Sequence, residues 1–536
     1  MPPASAGRLL LLAVWSGLVA GLAEIALVQT ALRADIQVRL SADYVWMASV
    51  ANVAFAVTAV ATVLAVCRLK GRDPTPPSLA VLGGLLVVMV AFYLESLHKG
   101  AVLLLAAGIG AQAARLARFR PARRLFTLVA PTAVVMAGLV GYLGLSLRRT
   151  ESRREAAARA ALPAPPAGAP NVLLLILDTV RRQAAWDASP ARSTTPALDS
   201  FATRGASFDR AIAPAPWTLP SHASFFTGRL PRELSASLAA PLDGRYPTLA
   251  EYLASKGYLT AGFVANLSFA TRASGLARGF AHYEDYPVGV GQTLMSSSIG
   301  RALVGAGWLR RLVGWHELPS RRTAGHIAAD FLAWQRSQQD RPYFAFLNFF
   351  DAHEPYFPAG RSGSSLWPGP RWTRYEHVVG LFAGANAEVA EKWTLTPTEV
   401  ETHSAAYFLA ASRADLEASR LLGELDRRGA LDNTLVIIAG DHGEQLGERQ
   451  RFGHLNSLYL PALHVPLIMV GPRVPSEAKV AGAVSLRDLP ATVVDILGLS
   501  AGAPFPGRSL AGHWTGVGRA DTVFAVLQGG YARQAR

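Results

Sequence analysis

The stretch Asn171-Val-Leu-Leu-Leu-Ile-Leu-Asp178 constrains the fold of this chain more than any other. An unbroken apolar run follows Pro170 and Asn171 and stops abruptly on a carboxylate. A run of this length between a Pro and a polar turn predicts a strand buried on both faces, as in parallel sheets. Its Asp then stands at the carboxyl edge of the sheet, where open α/β sheets bind ligands. The pattern recurs far downstream in Asn433-Thr-Leu-Val-Ile-Ile-Ala-Gly-Asp441-His442-Gly443-Glu444. Either run alone reads equally well as a core strand closed by a turn-forming Asp. Two such strands, the second followed at once by His, have the layout of a metal site.

The chain has 536 residues, enough for more than one domain, and is 51% hydrophobic, high for a soluble protein. Its net charge of +14 comes almost wholly from Arg. Much of that charge sits beside apolar spans, as membrane orientation requires, and neither a Gly-rich phosphate loop nor zinc-finger spacing supports nucleic acid as a partner. The one cysteine, Cys67, lies inside an apolar span, which excludes an intrachain disulfide or a Cys-based metal site.

Residues 1–148 read as a transmembrane domain of about five helices. The apolar stretches are Leu9–Leu32, Tyr44–Cys67, Leu79–Leu97, Gly100–Ala114 and Leu125–Leu147. Against the roughly 20 residues a membrane helix needs, four are long enough and Gly100–Ala114 is marginal. No small-residue cleavage site follows the first span, so it reads as a retained helix. Arg68, Lys70 and Arg72 follow the second span, and Arg115, Arg118, Arg120, Arg123 and Arg124 follow the fourth. Placing both loops in the cytoplasm puts the segment after the fifth span on the extracytoplasmic side. Arg148, Arg149, Arg153 and Arg154 oppose this, but a long following domain weakens their influence. Residues 149–170 form a Pro/Ala-rich linker, extended and semi-rigid, that holds a globular domain just off the membrane.

From residue 171 to about 516, strand-like runs (Asn171–Leu177, Leu259–Ala265, Tyr343–Phe349, Thr434–Ala439, Leu467–Val470) alternate with helical patterns (Thr248–Lys256, Thr323–Gln338, Ala406–Arg428). Such alternation predicts an α/β domain with a mostly parallel sheet and helices on both faces. Val288–Arg322, with Trp308 and Trp315, reads as an insertion resting on the membrane surface or as an ordinary surface helix pair. Ser362–Val400, rich in Gly, Trp and Pro, reads as a long loop near a site. Residues 517–536 form a C-terminal tail.

Four clusters carry chemistry. Asp178 is the first. The second is Trp217-Thr218-Leu219-Pro220-Ser221-His222, where Pro220 at a first helical position predicts a helix starting at Ser221. Thr218 then precedes a helix N-terminus, which favours anions, and is either a nucleophile or a capping residue. The third is Asn348-Phe-Phe-Asp351-Ala-His353-Glu354-Pro355, where His353 would ligate a metal or donate to a substrate oxyanion. The fourth is Asp441-His442-Gly443-Glu444 with His454. Oxygen and imidazole donors without thiolate suit Ca, Mg, Mn or Zn alike.

Taken together, Leu177-Asp-Thr-Val-Arg181, Thr195-Pro-Ala-Leu-Asp199, Trp217-Thr-Leu-Pro-Ser-His-Ala-Ser224, Gly257-Tyr-Leu-Thr260, Asp351-Ala-His-Glu-Pro355, Gly440-Asp-His-Gly-Glu444 and Val465-Pro-Leu-Ile468 resemble the sulfatase family of the alkaline phosphatase superfamily. The resemblance implies that fold for residues 171–515, a divalent metal held by Asp178, Asp441 and His442, and Thr218 at the nucleophile position. It further implies that His353 and His454 contact the charged group or the leaving oxygen, and that His222 and Asn266 occupy substrate-binding positions.

The chain departs from sulfatases proper where it matters chemically. Those use Cys or Ser, converted to formylglycine, in a Cys/Ser-x-Pro-x-Arg motif that here reads Thr218-Leu-Pro-Ser-His222. Thr cannot give formylglycine. The family's Lys-Trp-His stretch is replaced by Ala265-Asn266-Leu267. A Thr nucleophile, a lone carboxylate at the first strand and preceding membrane spans resemble membrane-anchored phosphoethanolamine and glycerophosphate transferases. A formylglycine hydrate expels sulfate with its second hydroxyl, whereas a threonine adduct must be resolved by attack on the central atom, which is ordinary for phosphorus. The expectation is a multi-pass cell-membrane enzyme with its catalytic domain outside the cytoplasm. It would act as a phosphoester hydrolase or phosphotransferase on envelope or extracellular esters carried by lipid or glycan, with membrane lipid but not nucleic acid as partner. A sulfuric ester hydrolase and a non-catalytic membrane module are the alternatives.

Overall fold

The computed structural model describes residues 5–33, 41, 43–92, 97–116, 122–182, 194–305, 322–338, 341–356, 395–515 and 522–527. Two compact units result, one of Met1–Arg154 with Tyr286–Ser320, the other of Glu155–Asp285 with Arg321–Arg536.

The first unit is helical: α1 (Ala6–Arg33), α2 (Tyr44–Leu69), α3 (Thr75–Ala91), α4 (Lys99–Leu116) and α5 (Ala122–Ala160), the last running on into the second unit. Continuous helices suit apolar sequence of this length, because they pair every backbone group internally. By length and composition α1, α2 and α5 qualify to cross a membrane. The stretch expected to span at Leu79–Leu97 yields α3 of only 17 residues, about 26 Å at ~1.5 Å per residue against a hydrocarbon core of about 30 Å. Among the described residues three helices thus qualify where the sequence suggested four and a marginal fifth. Gly17 and Gly21 let α1 and α2 touch backbone to backbone: a Cβ there would lie 2.4 Å from Val53 Cα and 2.3 Å from Ser49 Cα.

Only the first part of the insertion lies among the described residues. Its described helices, α9 (Val290–Met295) and α10 (Ser298–Gly305), belong to this helical unit. Buried Glu24 of α1 accepts from the Ser298 N–H (2.9 Å) and from Asn52 Nδ2 (2.8 Å). Trp308, Trp315 and most of the Ser362–Val400 loop lie outside the described residues.

The second unit is built on β1 (Asn171–Leu177), α6 (Pro196–Ala202), β2 (Ala206–Ile212), α7 (Thr218–Thr227), α8 (Leu249–Ser255), β3 (Leu259–Val264) and β4 (His282–Glu284). After the insertion come α11 (Ala324–Arg336), β5 (Tyr343–Phe349), α12 (Pro397–Arg427), β6 (Thr434–Gly440), β7 (Gln445–Leu446) and β8 (Phe452–Gly453). The last elements are α13 (Leu460–Leu463), β9 (His464–Val465), β10 (Leu467–Val470), β11 (Ala478–Ser485) and α14 (Leu489–Ile496).

Among the described residues one mixed sheet runs β11-β2-β10-β6-β1-β5-β3-β4, with β9 beside β2. β1 is central and parallel to β5 and β6, with Leu177 opposite both Phe349 and Gly440. Its alternate residues feed two apolar layers, Val172, Leu174 and Ile176 on one face and Leu173, Leu175 and Leu177 on the other, as an apolar run without polar alternation requires. β10 is antiparallel to both β6 and β2, so β2 again points the same way as β6. The strand ends therefore bring Asp178, Asn266, Asp351, Asp441 and the segment leading to Thr218 to one edge.

Candidate active site

Backbone geometry aims the two carboxylates. Gly440 and Gly443 bracket Asp441-His442 because there is no room for a side chain: a Cβ would lie 2.3 Å from Val180 O and 2.0 Å from Pro461 O respectively. Thr179, directly after Asp178, adopts φ 62°, a conformation that costs a β-branched residue about 1–3 kcal/mol. The turn it makes lets the Thr179 N–H donate to Asp441 Oδ1 (3.2 Å).

The structure brings Asp178, Asp441, His442, Thr218, Asn266 and His222 into one connected cluster. Asp178 Oδ2 accepts from Asn266 Nδ2 (2.9 Å) and Asn348 Nδ2 (3.2 Å). Asp441 Oδ1 accepts from the N–H groups of Thr179 and His442. Asp178 Oδ1 and Asp441 Oδ2 are fully buried and accept no hydrogen bond among the described residues. His442 Nδ1 faces the Gly443 carbonyl at 3.0 Å. A carbonyl only accepts, so Nδ1 carries the proton and the Nε2 lone pair points inward. Nε2 lies 3.7 Å from Asp178 Oδ1 and 3.5 Å from Asp441 Oδ2. Ligand atoms of the three residues all fall within 4.8 Å of one another.

This set fits a divalent cation. Two buried carboxylate oxygens without donors and one imidazole lone pair converge on the same point, and such groups rarely stay unsatisfied in a native interior. Electrostatics agree. Burial, then the charge of Asp441, pushes the Asp178 carboxyl up to about 7, and burial chiefly pushes Asp441 up to about 8. Burial holds His442 down at about 4, so its ring is neutral and able to ligate. A cation would reverse the carboxyl shifts by stabilising the ionised forms.

Thr218 differs locally from the expectation. It does not precede α7 but is its first residue, after the extended Trp217. The helix starts earlier than Pro220 suggested, because first-turn N–H groups lack intrahelical acceptors and a Pro within that turn forfeits nothing. Thr218 Oγ1 lies 3.4 Å from His442 Nε2 and 3.3 Å from Asn266 Nδ2. The turn is clamped to the end of β6 by Ser221 Oγ, which donates to Asp441 O at 2.6 Å. His222 Nδ1 donates to Thr218 O (2.8 Å) and lies 3.4 Å from Asp441 Oδ2. Its ring packs against Phe225 and Phe346, with centroids at 4.6 and 5.6 Å, and burial pulls its pKa down to about 3.

His454 and His353 form the outer part. The His454 ring lies 4.5 Å from His442 and 4.9 Å from His353. Nδ1 of His454 hydrogen-bonds buried Glu444 at 3.1 Å. His353 stacks on Phe350 at 4.1 Å and has Nδ1 2.7 Å from Glu354 O. Asp351, two residues earlier, instead caps α11 by accepting from the Ala324 N–H at 2.7 Å.

Sequence reasoning missed the roles of Asn348, Ser221 and Arg181. Asn348 Oδ1 accepts the Asn266 N–H while its amide holds Asp178; the signal was a lone polar residue inside the apolar run of β5. Arg181 donates to Glu444 O and Glu448 Oε1, tying the end of β1 to the loop behind His442. Ser221 carried no signal beyond its place in the motif.

The chain finds counterparts among known proteins. A family model described as Sulfatase matches residues 170–499, more than half of the chain. The chain is 25% identical to arylsulfatase K of Canis lupus familiaris over 369 residues, 65% of this chain and 65% of that protein. To choline-sulfatase of Rhizobium meliloti it is 26% identical over 393 residues, 66% of this chain and 73% of that one. It thus spans just under two thirds of the length of the arylsulfatase K it matches. Among solved structures, a phosphonate monoester hydrolase from Silicibacter pomeroyi superposes with a TM-score of 0.48 at 23% identity, covering 66% of this chain and 78% of that one.

Proposed function

This chain belongs to the sulfatase family of the alkaline phosphatase superfamily, and on that premise we propose that it is a membrane-anchored, metal-dependent phosphoester hydrolase or phosphotransferase working through Thr218. The observation that carries the reading is a threonine hydroxyl at the head of α7, 3.4 Å from His442 Nε2, where a formylglycine precursor would be needed for sulfatase chemistry.

Asp178, Asp441 and His442 would hold the cation, which when bound supplies charge neutralisation at the phosphoryl group and favours the ionised Thr218 hydroxyl. Thr218 Oγ would attack phosphorus as its proton passes to the His353–His454 side of the site, the P–O bond to the ester group would break, and the leaving oxygen would take up that same proton. First-turn N–H groups of α7 face the new anionic adduct. Water or an acceptor alcohol then attacks phosphorus in line, and the bond to Thr218 breaks as its oxygen regains a proton. Asn266 orients Thr218 through its amide, and His222 fixes the Thr218 carbonyl.

The second reading is sulfate-ester hydrolysis, favoured by the names of the relatives, arylsulfatase K and choline-sulfatase. Side-by-side turnover of p-nitrophenyl phosphate, its diester and its sulfate decides between them. The phospho reading requires phosphorus esters to turn over faster; a preference for the sulfate would overturn it. Residues 1–148 would anchor the enzyme, with the catalytic domain outside the cytoplasm. A reporter active only outside the cytoplasm, fused after Gly516, should be active, and silence there would reverse the orientation.

A further inference from the structure

α1, α2 and α5 line an open groove of about 530 Å³ whose walls include Val14, Leu18, Val50, Val53, Val140 and Leu145. That is within the range of about 300–1,000 Å³ typical of small-molecule sites. α5 lines it with the small residues Ala137, Gly141 and Gly144, while α1 and α2 close against each other at Gly17 and Gly21. A Cβ built on Gly141 meets nothing within 4 Å. Two polar groups interrupt the apolar lining. Ser49 is fully buried and its hydroxyl has no hydrogen-bond partner among the described residues. Arg148 stands beyond the apolar stretch of α5, its guanidinium 5.7 Å from the Trp46 ring, with no carboxylate paired to it among the described residues.

We propose that this groove is a binding site for one anionic phospholipid, an acyl chain lying along α5 past Gly141 and the phosphate meeting Arg148. An amphiphile with one apolar limb and one anionic end matches a groove that is apolar along its walls and cationic at one end. A Trp beside an Arg at the end of an apolar helix is also the arrangement of a membrane–water interface. A second protein helix fits less well, because an apolar packing face carries no anion to meet Arg148. The site is separate from the ester-cleaving centre and requires only that α1, α2 and α5 cross a membrane.

The test uses the full chain in mild detergent, with native mass spectrometry of added phosphatidylglycerol or phosphatidylcholine. The wild type should hold one phosphatidylglycerol per chain and bind phosphatidylcholine about tenfold more weakly, the worth of one charge-assisted contact. Gly141→Phe should lose the bound lipid. Gly138→Phe, which also projects into open space but lies outside the groove, should retain it and so controls for folding. Arg148→Gln should keep a lipid but lose the preference for phosphatidylglycerol. Equal retention by Gly141→Phe and wild type, or equal affinity of the wild type for the two lipids, would overturn the proposal. Alkaline extraction of membranes separates this from the anchoring reading: release of the protein into the supernatant would sink both.

Discussion

Thr218 Oγ1 stands 3.4 Å from Nε2 of His442, although the two residues are 224 positions apart in sequence. Three strands and a helix start produce that meeting: β6 delivers His442, β2 points the chain toward α7, and β1 between β5 and β6 sets the level of the edge. The hydroxyl therefore faces the point on which the Asp178 and Asp441 oxygens converge.

Removing a ligand should empty the site. Asp441→Asn and His442→Ala are expected to lower bound divalent metal to background and turnover with it, while the protein still fractionates with membranes. Elemental analysis of the purified variants is the check, and full occupancy in both would exclude these residues as ligands.

Proton linkage gives a second expectation. Asp178 and Asp441 are held at about 7 and 8, above the ordinary 3.8, so the folded metal-free domain binds these protons more tightly than the unfolded chain. For these groups stability is fullest at low pH and is lost as pH rises from about 4 toward 8. A cation that favours the ionised carboxylates offsets the loss where it is greatest. The rise in melting temperature on adding metal should therefore grow between pH 5.5 and 8.5, with protons released on binding. An equal rise at both ends would contradict the assignment.

Asn266 Nδ2 spans Asp178 Oδ2 and Thr218 Oγ1 at 2.9 and 3.3 Å. Asn266→Ala is expected to reduce kcat by roughly 10–100-fold, the usual cost of losing a partner of a metal ligand. Asn266→Asp should be worse, since it puts a third carboxylate beside two that already repel. Steady-state kinetics with metal content measured in parallel would show an effect on kcat larger than on KM; an unchanged kcat would remove Asn266 from the site.

The parts of the fold that were legible in sequence are those where burial is two-sided. β1, β5 and β10 lie where unbroken apolar runs placed them, and β6 extends one residue further, to Gly440. β2 and β11 were missed, since each mixes buried with partly or fully exposed residues and carries Asp, Arg or Lys at the less buried positions, which breaks up any apolar run. α12 begins at Pro397, earlier than its apolar stripe suggested, because Thr396 and Glu399 form a capping box ahead of it. In the site, motif order located the chain segments that meet, but hydrogen bonds such as Asn348 to Asp178 depend on strand register, which no local pattern encodes. The union of the insertion with the N-terminal helices was illegible for the same reason: Glu24 and Ser298 pair across 274 residues.

The central claim, covalent catalysis on phosphorus by Thr218, is tested most directly by following the nucleophile itself. With a slow phosphoester substrate, mass spectrometry of the peptide containing Thr218 should show a phosphate-sized adduct in the wild type and none in Thr218→Ala. That variant should keep its metal yet lose turnover by several orders of magnitude, and Thr218→Ser, which retains the hydroxyl, should keep part of it. Near wild-type turnover by Thr218→Ala, or a sulfate adduct in place of phosphate, would contradict the account.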